Sequence, residues 1–244
     1  GINLCEKVPD AKTIWKFKND LAETETVDKL FCMFDEHFEK EGLISHKGTI
    51  VDATFVDAPR QRNSRDENKK IKNGVIPEEW EKPENKSKLA QKDIDADWTK
   101  KNGERHFGYK DHVKCDADSK LITNYSVTSA SVHDSQRCLV FIGQEDEVLY
   151  ADSAYSGKPI ALALPENCKN QICEKGYRNS PLTSEQKMNN RRKSRIRCRI
   201  EQIFGFMTGA MHGITIRSIG ITRAWMNIGI TNLVYNFCRY SYLK

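Results

Sequence analysis

The chain has 244 residues, of which 38% are hydrophobic and 30% are charged, with a formal net charge of +5. This composition indicates a soluble globular protein with one substantial core and excludes a chain built of membrane spans. Six basic residues lie in segment 60–72 and seven in segment 187–199. Two such clusters predict a polyanionic partner.

The eight cysteines are scattered through the chain without a paired CxxC spacing. We therefore expect reduced thiols rather than a disulfide framework or a zinc site. No secretory signal is recognised. Together these features predict a cytoplasmic protein without a membrane partner.

Two helices are predicted at the N-terminal end. Asp10 is a plausible start for the first helix, Thr26 can cap the second, and Gly42 can end it. The chain opens without a Met and inside the helical pattern. We therefore interpret residues 1–46 as the helical remnant of an N-terminal domain that precedes a catalytic domain at 47–244.

The segment 58–104 interrupts the pattern that follows the first strand. It is polar, strongly charged and poor in apolar residues, and this composition predicts a loop or a partly ordered insertion. Within it Asp93, Asp95 and Asp97 alternate. They could line a cation site, although solvated loop carboxylates are the commoner explanation of such a pattern.

The other predicted elements follow the order β-β-β-α-β-α-β-α, which ends in a C-terminal helix within 219–241. Strands are predicted at 48–56, 106–114, 121–129, 148–152 and 170–174, with helices at 134–142, at 156–164 and from about 183 past Glu201. This order predicts an α/β protein with a mixed five-stranded sheet and helices on both faces. It is the order of the ribonuclease-H-like fold.

Three carboxylates are candidates for a catalytic site. Asp52 lies within the first strand, Asp152 ends the fourth, and Glu201 lies on the long basic helix. In this fold the first and fourth strands are parallel neighbours, so we expect the three side chains to converge and to need cations between them. Two Mg²⁺ or Mn²⁺ ions would suit such oxygen ligands. Taken singly, Asp152 could be only a helix cap and Glu201 only a surface ion-pair partner.

The same motifs resemble those of the DDE transposases of bacterial insertion sequences, in particular the IS-five group. The resemblance covers residues 8–240, and the matching segments are Gly48–Thr54, Asp95–Lys110, Thr128–Ser135, Tyr150–Gly157 and Arg197–Gly205. It implies that Asp52, Asp152 and Glu201 bind the metal ions and catalyse DNA cleavage and strand transfer. Two signature positions differ: Ser194 stands where that group has Tyr, and Thr208 where it has Lys.

The resemblance also implies double-stranded DNA as the partner: the terminal inverted repeats of the element and the target DNA. A homodimer would assemble on that DNA, in the bacterial cytoplasm and associated with the nucleoid. The expected DNA contacts are Arg197 first and Lys193 second, followed by Arg199, Arg192, Lys110 and His106. For His106 and Lys110, a purely structural place on a strand is an equally good explanation.

Two alternatives remain at this stage. A ribonuclease-H-like nuclease would use the same three carboxylates without strand transfer. An inactive or co-opted DNA-binding derivative would retain the basic segments without catalysis. Metal-dependent cleavage separates the second alternative from an enzyme, and joined products separate a transposase from a nuclease.

Overall fold

The computed structural model describes residues 8–101 and 103–244. In this part of the chain the helices are α1 (Ala11–Glu23), α2 (Thr26–Lys40), α3 (Arg65–Lys72), α4 (Glu78–Glu81), α5 (Lys86–Leu89), α6 (Ser135–Phe141), α7 (Lys158–Ala163), α8 (Ser184–Gly209) and α9 (Ile221–Leu243). The strands are β1 (Thr49–Asp57), β2 (Asp97–Lys101), β3 (Glu104–Asp116), β4 (Ile122–Ser129), β5 (Val148–Tyr150) and β6 (Lys169–Asn170).

The strands form one mixed sheet with β1 near its centre. β3 pairs antiparallel with β1 and with β4, whereas β5 pairs parallel with β1 and with β6. The antiparallel meander and the parallel neighbour of the first strand are therefore confirmed. The sheet and its helices are consistent with the predicted ribonuclease-H-like fold.

The sheet has six strands where five were predicted. The additional strand is β2, which pairs antiparallel with the first part of β3 and lies inside the segment predicted to be a loop. The edge strand β6 is also shorter than the predicted 170–174 strand. Charged residues dominate β2, so its sequence lacks the apolar alternation by which a strand is recognised.

Helices cover both faces of the sheet. Neighbouring residues of β1 point to opposite faces, so each face presents apolar side chains that a helix can cover. Ile50 packs in the core shared with α8 and α9, and Val51 packs in the core beneath α6 and α7. The long helix α8 buries Ile200, Ile203 and Met207 at helical spacing. Each such side chain contributes roughly 1.5–3 kcal/mol through the water it excludes.

The N-terminal helices pack on the same core rather than apart from it. α1 and α2 contact α9, and the Phe31 ring meets the Tyr125 ring of β4 edge-on at a centroid distance of 5.0 Å. Asp10 caps α1, since its carboxylate accepts a hydrogen bond from the Thr13 amide at 2.7 Å. Thr26 is the first residue of α2 rather than its cap. Gly42 follows α2 with φ +69°, the left-handed conformation expected of a terminating glycine.

For segment 58–104, predicted as a loop or a partly ordered insertion, the loop is wrong: the segment is an insertion that contains α3, α4 and α5 as well as β2. Its small core is Trp80, which is fully buried and donates its indole N–H to Glu67 Oε1 at 2.8 Å. Glu67 also completes a capping box with Ser64 at the start of α3. A single aromatic residue organises the segment, which is why its low apolar content was misleading.

None of the helices within the described ranges is both long enough and apolar enough to cross a membrane.

Candidate active site

Two aspartates lie side by side where β1 and β5 run in parallel. The pairing joins Thr49 to Leu149 and Ile50 to Tyr150, so the same register brings Asp52 beside Asp152. β5 ends at Tyr150, and Asp152 caps the helical turn that follows by accepting a hydrogen bond from the Ala154 amide at 2.7 Å. The cap considered for Asp152 from the sequence is therefore present, and it fixes this carboxylate beside β1.

Arg197 connects the third carboxylate to the first. Its Nη1 donates to Asp52 Oδ2 at 2.8 Å, and its Nη2 donates to Glu201 Oε1 at 2.6 Å. Arg197 and Glu201 are one helical turn apart on α8, and this spacing allows one guanidinium to reach both acids. The helix α8 therefore brings Glu201 close to Asp52 on the central strand β1.

The environment of Asp52 opposes its negative charge. Burial raises its pKa to about 6, although the Ala53 amide and Arg197 favour the charged form, and the nearby Asp152 carboxylate raises the pKa further. The Ala53 N–H donates to Asp52 Oδ1 at 2.8 Å. A further cation near Asp52 would therefore lower its pKa and stabilise the ionised carboxylate.

Two residues near Asp52 were not singled out by the sequence analysis. The charge of Lys101, at the end of β2, is close enough to lower the pKa of Asp52. Tyr155 is fully buried, its hydroxyl has no hydrogen-bond partner within the described ranges, and burial and the Asp52 charge both raise its pKa. Lys101 lies in a segment rich in lysine, so its sequence context alone did not distinguish it.

The donor atoms of this site suit a divalent cation. Asp52, Asp152 and Glu201 offer only carboxylate oxygens, the ligands that Mg²⁺ and Mn²⁺ prefer. Within residues 8–101 and 103–244, no group of three or more His, Cys, Asp or Glu side chains is drawn together as a metal site. The guanidinium of Arg197 instead stands as a cation between two of the carboxylates. The positive charge of Arg197 thus compensates these carboxylates as a bound metal ion would.

The predicted DNA contacts on α8 fall into two groups. The Lys193 ammonium donates to the Ile172 carbonyl at 2.9 Å and lies 3.7 Å from Glu174, and Arg199 donates to the Ala117 carbonyl at 2.6 Å. Both side chains therefore hold α8 to neighbouring loops. The exposed basic side chains of the helix are Lys187, Arg191, Arg192 and Arg195. Only Arg192 of these four was among the proposed contacts.

The two candidates on β3 also have partners within the protein. Lys110 is buried and donates to Asp134 Oδ1 at 2.7 Å and to the Val132 carbonyl at 2.6 Å. His106 stacks on the Phe55 ring at a centroid distance of 4.2 Å. These contacts account for both residues structurally, and their DNA contacts stay predictions.

The three alternating aspartates of the insertion are neither a cation site nor freely solvated. Asp93 is buried and accepts the Tyr109 hydroxyl at 2.7 and 2.8 Å. Asp95 accepts the Ile221 amide at 2.8 Å, at the start of α9. Asp97 accepts the Trp98 amide at 2.7 Å. The first two therefore tie the insertion to the rest of the protein.

Comparison with known protein families supplies one match. Residues 44–237 match the family model described as a transposase DDE domain. This range includes the three carboxylates, Arg197 and the whole insertion. No solved structure matches the chain at a significant level.

Proposed function

The chain belongs to the DDE transposase family, and from this premise we propose that it cleaves DNA at the ends of a bacterial insertion sequence and joins the freed 3′-hydroxyls to a target duplex. The motifs quoted above favour the IS-five group. The observation that carries the proposal is that one guanidinium, that of Arg197, pairs with both Asp52 and Glu201, while Asp152 caps the turn after β5 close enough to Asp52 to raise its pKa.

Asp52, Asp152 and Glu201 would hold two divalent cations, Mg²⁺ or Mn²⁺, which lower the pKa of the attacking hydroxyl or water and neutralise charge on the scissile phosphate. The scissile phosphate would therefore lie next to these three carboxylates. In cleavage, a water oxygen bonds to phosphorus and the 3′-oxygen leaves with a proton. In joining, the freed 3′-hydroxyl attacks a target phosphate, and the 3′-oxygen of the target strand leaves.

Arg197 has a different role before and after DNA binds. Without DNA its guanidinium satisfies Asp52 and Glu201, which would otherwise repel each other. A DNA phosphate offers the same bidentate geometry as a carboxylate. Transfer of Arg197 to a phosphate would therefore uncover two metal-ligating carboxylates when substrate arrives.

We infer a homodimer on DNA, because two copies of the chain would be needed to hold the two ends of one element. The terminal inverted repeats would then be bound in equivalent positions by the two subunits. The proposal concerns the DNA complex and does not require a dimer of the free protein.

The test is cleavage of a labelled duplex that carries the end of the element, with Mg²⁺ or Mn²⁺, by the wild-type chain and by Asp152→Asn. We expect loss of 3′-end nicking by roughly 10³-fold or more, the scale seen when one member of a catalytic unit is removed. Asn can still cap the turn after β5, so thermal unfolding should be nearly unchanged and serves as the control for folding.

The products distinguish the proposed function from its alternatives. Metal-dependent nicking followed by joined products supports a transposase. Nicking without joined products, with target DNA present, indicates a ribonuclease-H-like nuclease. Binding without nicking at any metal concentration would indicate a DNA-binding derivative and contradict the proposal.

A further inference from the structure

The segment between β1 and β3 has a fixed position relative to the catalytic site. The module formed by residues 58–101 is organised by Trp80, and the Lys88 and Lys92 ammonium groups lie over its ring at 5.3 and 5.2 Å from the centroid. Asp93 binds the Tyr109 hydroxyl of β3, and Asp95 binds the first amide of α9. The module is therefore attached to the sheet and to a long helix at once.

One surface of this module is a basic groove with a volume of ≈ 650 Å³. Helix α3 forms one wall and the β2–β3 hairpin the other. The cationic residues that line it are Arg65, Lys69 and Lys72 on α3 and Lys100 and Arg105 on the hairpin, against one carboxylate, that of Asp97. Arg65, Lys69 and Lys72 are spaced at i, i+4 and i+7, so they share one face of α3.

These five cations are exposed and have no carboxylate partner within 4.0 Å among the described residues. Lys100 and Arg105 are directly paired across the hairpin. Like charges in that position destabilise a sheet. A basic groove that retains this repulsion is suited to a polyanion that would relieve it.

The hairpin that forms one wall of the groove also places a cation near the catalytic site. Lys101 follows Lys100 on β2 and points to the opposite face, where its ammonium lies 5.5 Å from the centroid of the Phe55 ring on β1. Its charge also acts on Asp52. DNA held against the hairpin would therefore lie near Asp52, two strands away in the sheet.

We propose that the groove formed by α3 and the β2–β3 hairpin binds the sugar–phosphate backbone of duplex DNA next to the cleavage site. This inference rests on the proposed function and adds a role for the module. The cations of α3 extend over seven residues, about 10 Å of helix, which is too far for one small anion to contact them all. Successive phosphates of a duplex match such a row.

Phosphate contacts of this kind position DNA without reading its sequence. The test is the salt dependence of duplex binding for the triple variant Arg65→Gln, Lys69→Gln, Lys72→Gln. The slope of log K against log salt should fall by about 0.9 for each lost contact, hence by roughly 2–3, with affinity at least about tenfold weaker near 0.1 M salt. The loss should be equal for a duplex with the element end and for an unrelated duplex.

The matched control is Lys12→Gln, Lys16→Gln, Lys18→Gln, which removes the same charge from exposed positions of α1. A second variant, Lys100→Gln with Arg105→Gln, removes cations from the other wall and should lower the slope in the same way. Circular dichroism and thermal unfolding verify that each variant is folded. Groove variants that keep the wild-type slope, or a control that loses as much, would overturn the inference.

Binding and cleavage are measured separately, so the two proposals can fail separately. If the wild-type chain cleaves and the groove variants bind with an unchanged slope, the groove is wrong and the proposed function stands. If the wild-type chain binds without cleaving and the groove variants lose slope, the groove stands and the chemistry is wrong. A wild-type chain that binds no duplex overturns both.

Discussion

Two carboxylates on or beside β1, those of Asp52 and Asp146, each form an ion pair with a basic side chain, yet they differ in solvent exposure. Asp146 is 1% exposed and accepts hydrogen bonds from Thr49 Oγ1 at 2.7 Å, Lys114 Nζ at 2.9 Å and the Gly143 amide at 2.9 Å. The Asp52 side chain is 13% exposed, and its partner Arg197 also holds Glu201, whose side chain is 57% exposed. The first pair is closed and the second is open.

The difference shows what distinguishes a structural ion pair from a functional one in this protein. Asp146 has its oxygens filled by fixed protein donors, so a buried charge is compensated and no other ligand can enter. Asp52 shares its cation with the exposed acid Glu201 and repels Asp152, so another cation or a phosphate can replace that contact. The openness of the pair, not its hydrogen-bond distances, identifies the site.

The largest effect should come from breaking each pair in turn. Lys114→Met keeps the length of the side chain but leaves Asp146 buried and uncompensated, and we expect a loss of about 3–5 kcal/mol in the free energy of unfolding. Arg197→Met leaves Asp52 partly exposed, at 13%, and able to take up a proton, since its pKa is about 6, so we expect a smaller loss of about 1–3 kcal/mol. Urea denaturation of both variants measures the difference.

Equal losses in the two variants would contradict the distinction between a closed and an open pair. Duplex binding provides the opposite ranking as a check. Arg197→Met should weaken binding to DNA, whereas folded Lys114→Met should bind as the wild type does.

A third carboxyl group, that of Asp111, is buried and has no basic side chain within 4.0 Å among the described residues, so it extends the comparison. Burial raises the pKa of Asp111 to about 8, and its hydrogen-bond partner is the Asn232 amide at 3.2 Å. The unfolded chain releases this proton near pH 4, so the stability contributed by the neutral acid is complete below pH 4 and is lost as the pH rises towards 8. Asp111→Asn should be more stable than the wild type above pH 8, by about 1–3 kcal/mol.

Unfolding by urea at pH 5, 7 and 9 tests this expectation through the difference between the two proteins. The difference is needed because Asp35, whose pKa burial raises to about 7, changes stability in the same direction in both. A stability difference that does not grow with pH would show that Asp111 is already charged at neutral pH.

The smallest effect should come from adding metal. Mn²⁺ at ten times its dissociation constant stabilises a protein by about 1.4 kcal/mol if it binds only the folded state. We expect such a rise in thermal stability for the wild type and its absence in Asp52→Asn, without DNA or catalysis in the assay. A variant with the closed pair altered, Lys114→Met, should keep the increment, and an increment retained by Asp52→Asn would place the ion elsewhere.

Local pattern was sufficient for the elements that carry the two aspartates. A short apolar strand beside a carboxylate is recognised from a few neighbouring residues, so Asp52 was placed correctly on β1 and Asp152 just after β5, which ends at Tyr150, two residues earlier than predicted. The order of strands and helices also limited the topology to few choices, because crossover connections between parallel strands have one hand. The fold class followed from these two facts.

Side-chain partners depended on contacts between distant segments. The basic pattern of α8 did not reveal that Lys193 and Arg199 bind carbonyl groups of neighbouring loops, because those partners come from residues 172 and 117. The insertion was expected to be a loop or partly ordered because it has few apolar residues. It folds nevertheless, because the single residue Trp80 supplies its core. Composition averages over such a residue, and only packing decides where it lies.

The sequence by itself therefore determined that Asp52 lies on a buried strand and that Asp152 closely follows another, since that depends on local periodicity. Only the tertiary structure decided that Arg197 neutralises Asp52 and Glu201 together, and that four cations of the 58–101 module share one groove with Arg105 of β3. Electrostatic interaction depends on distance in space, and residues far apart in the chain acquire that distance only when the chain folds.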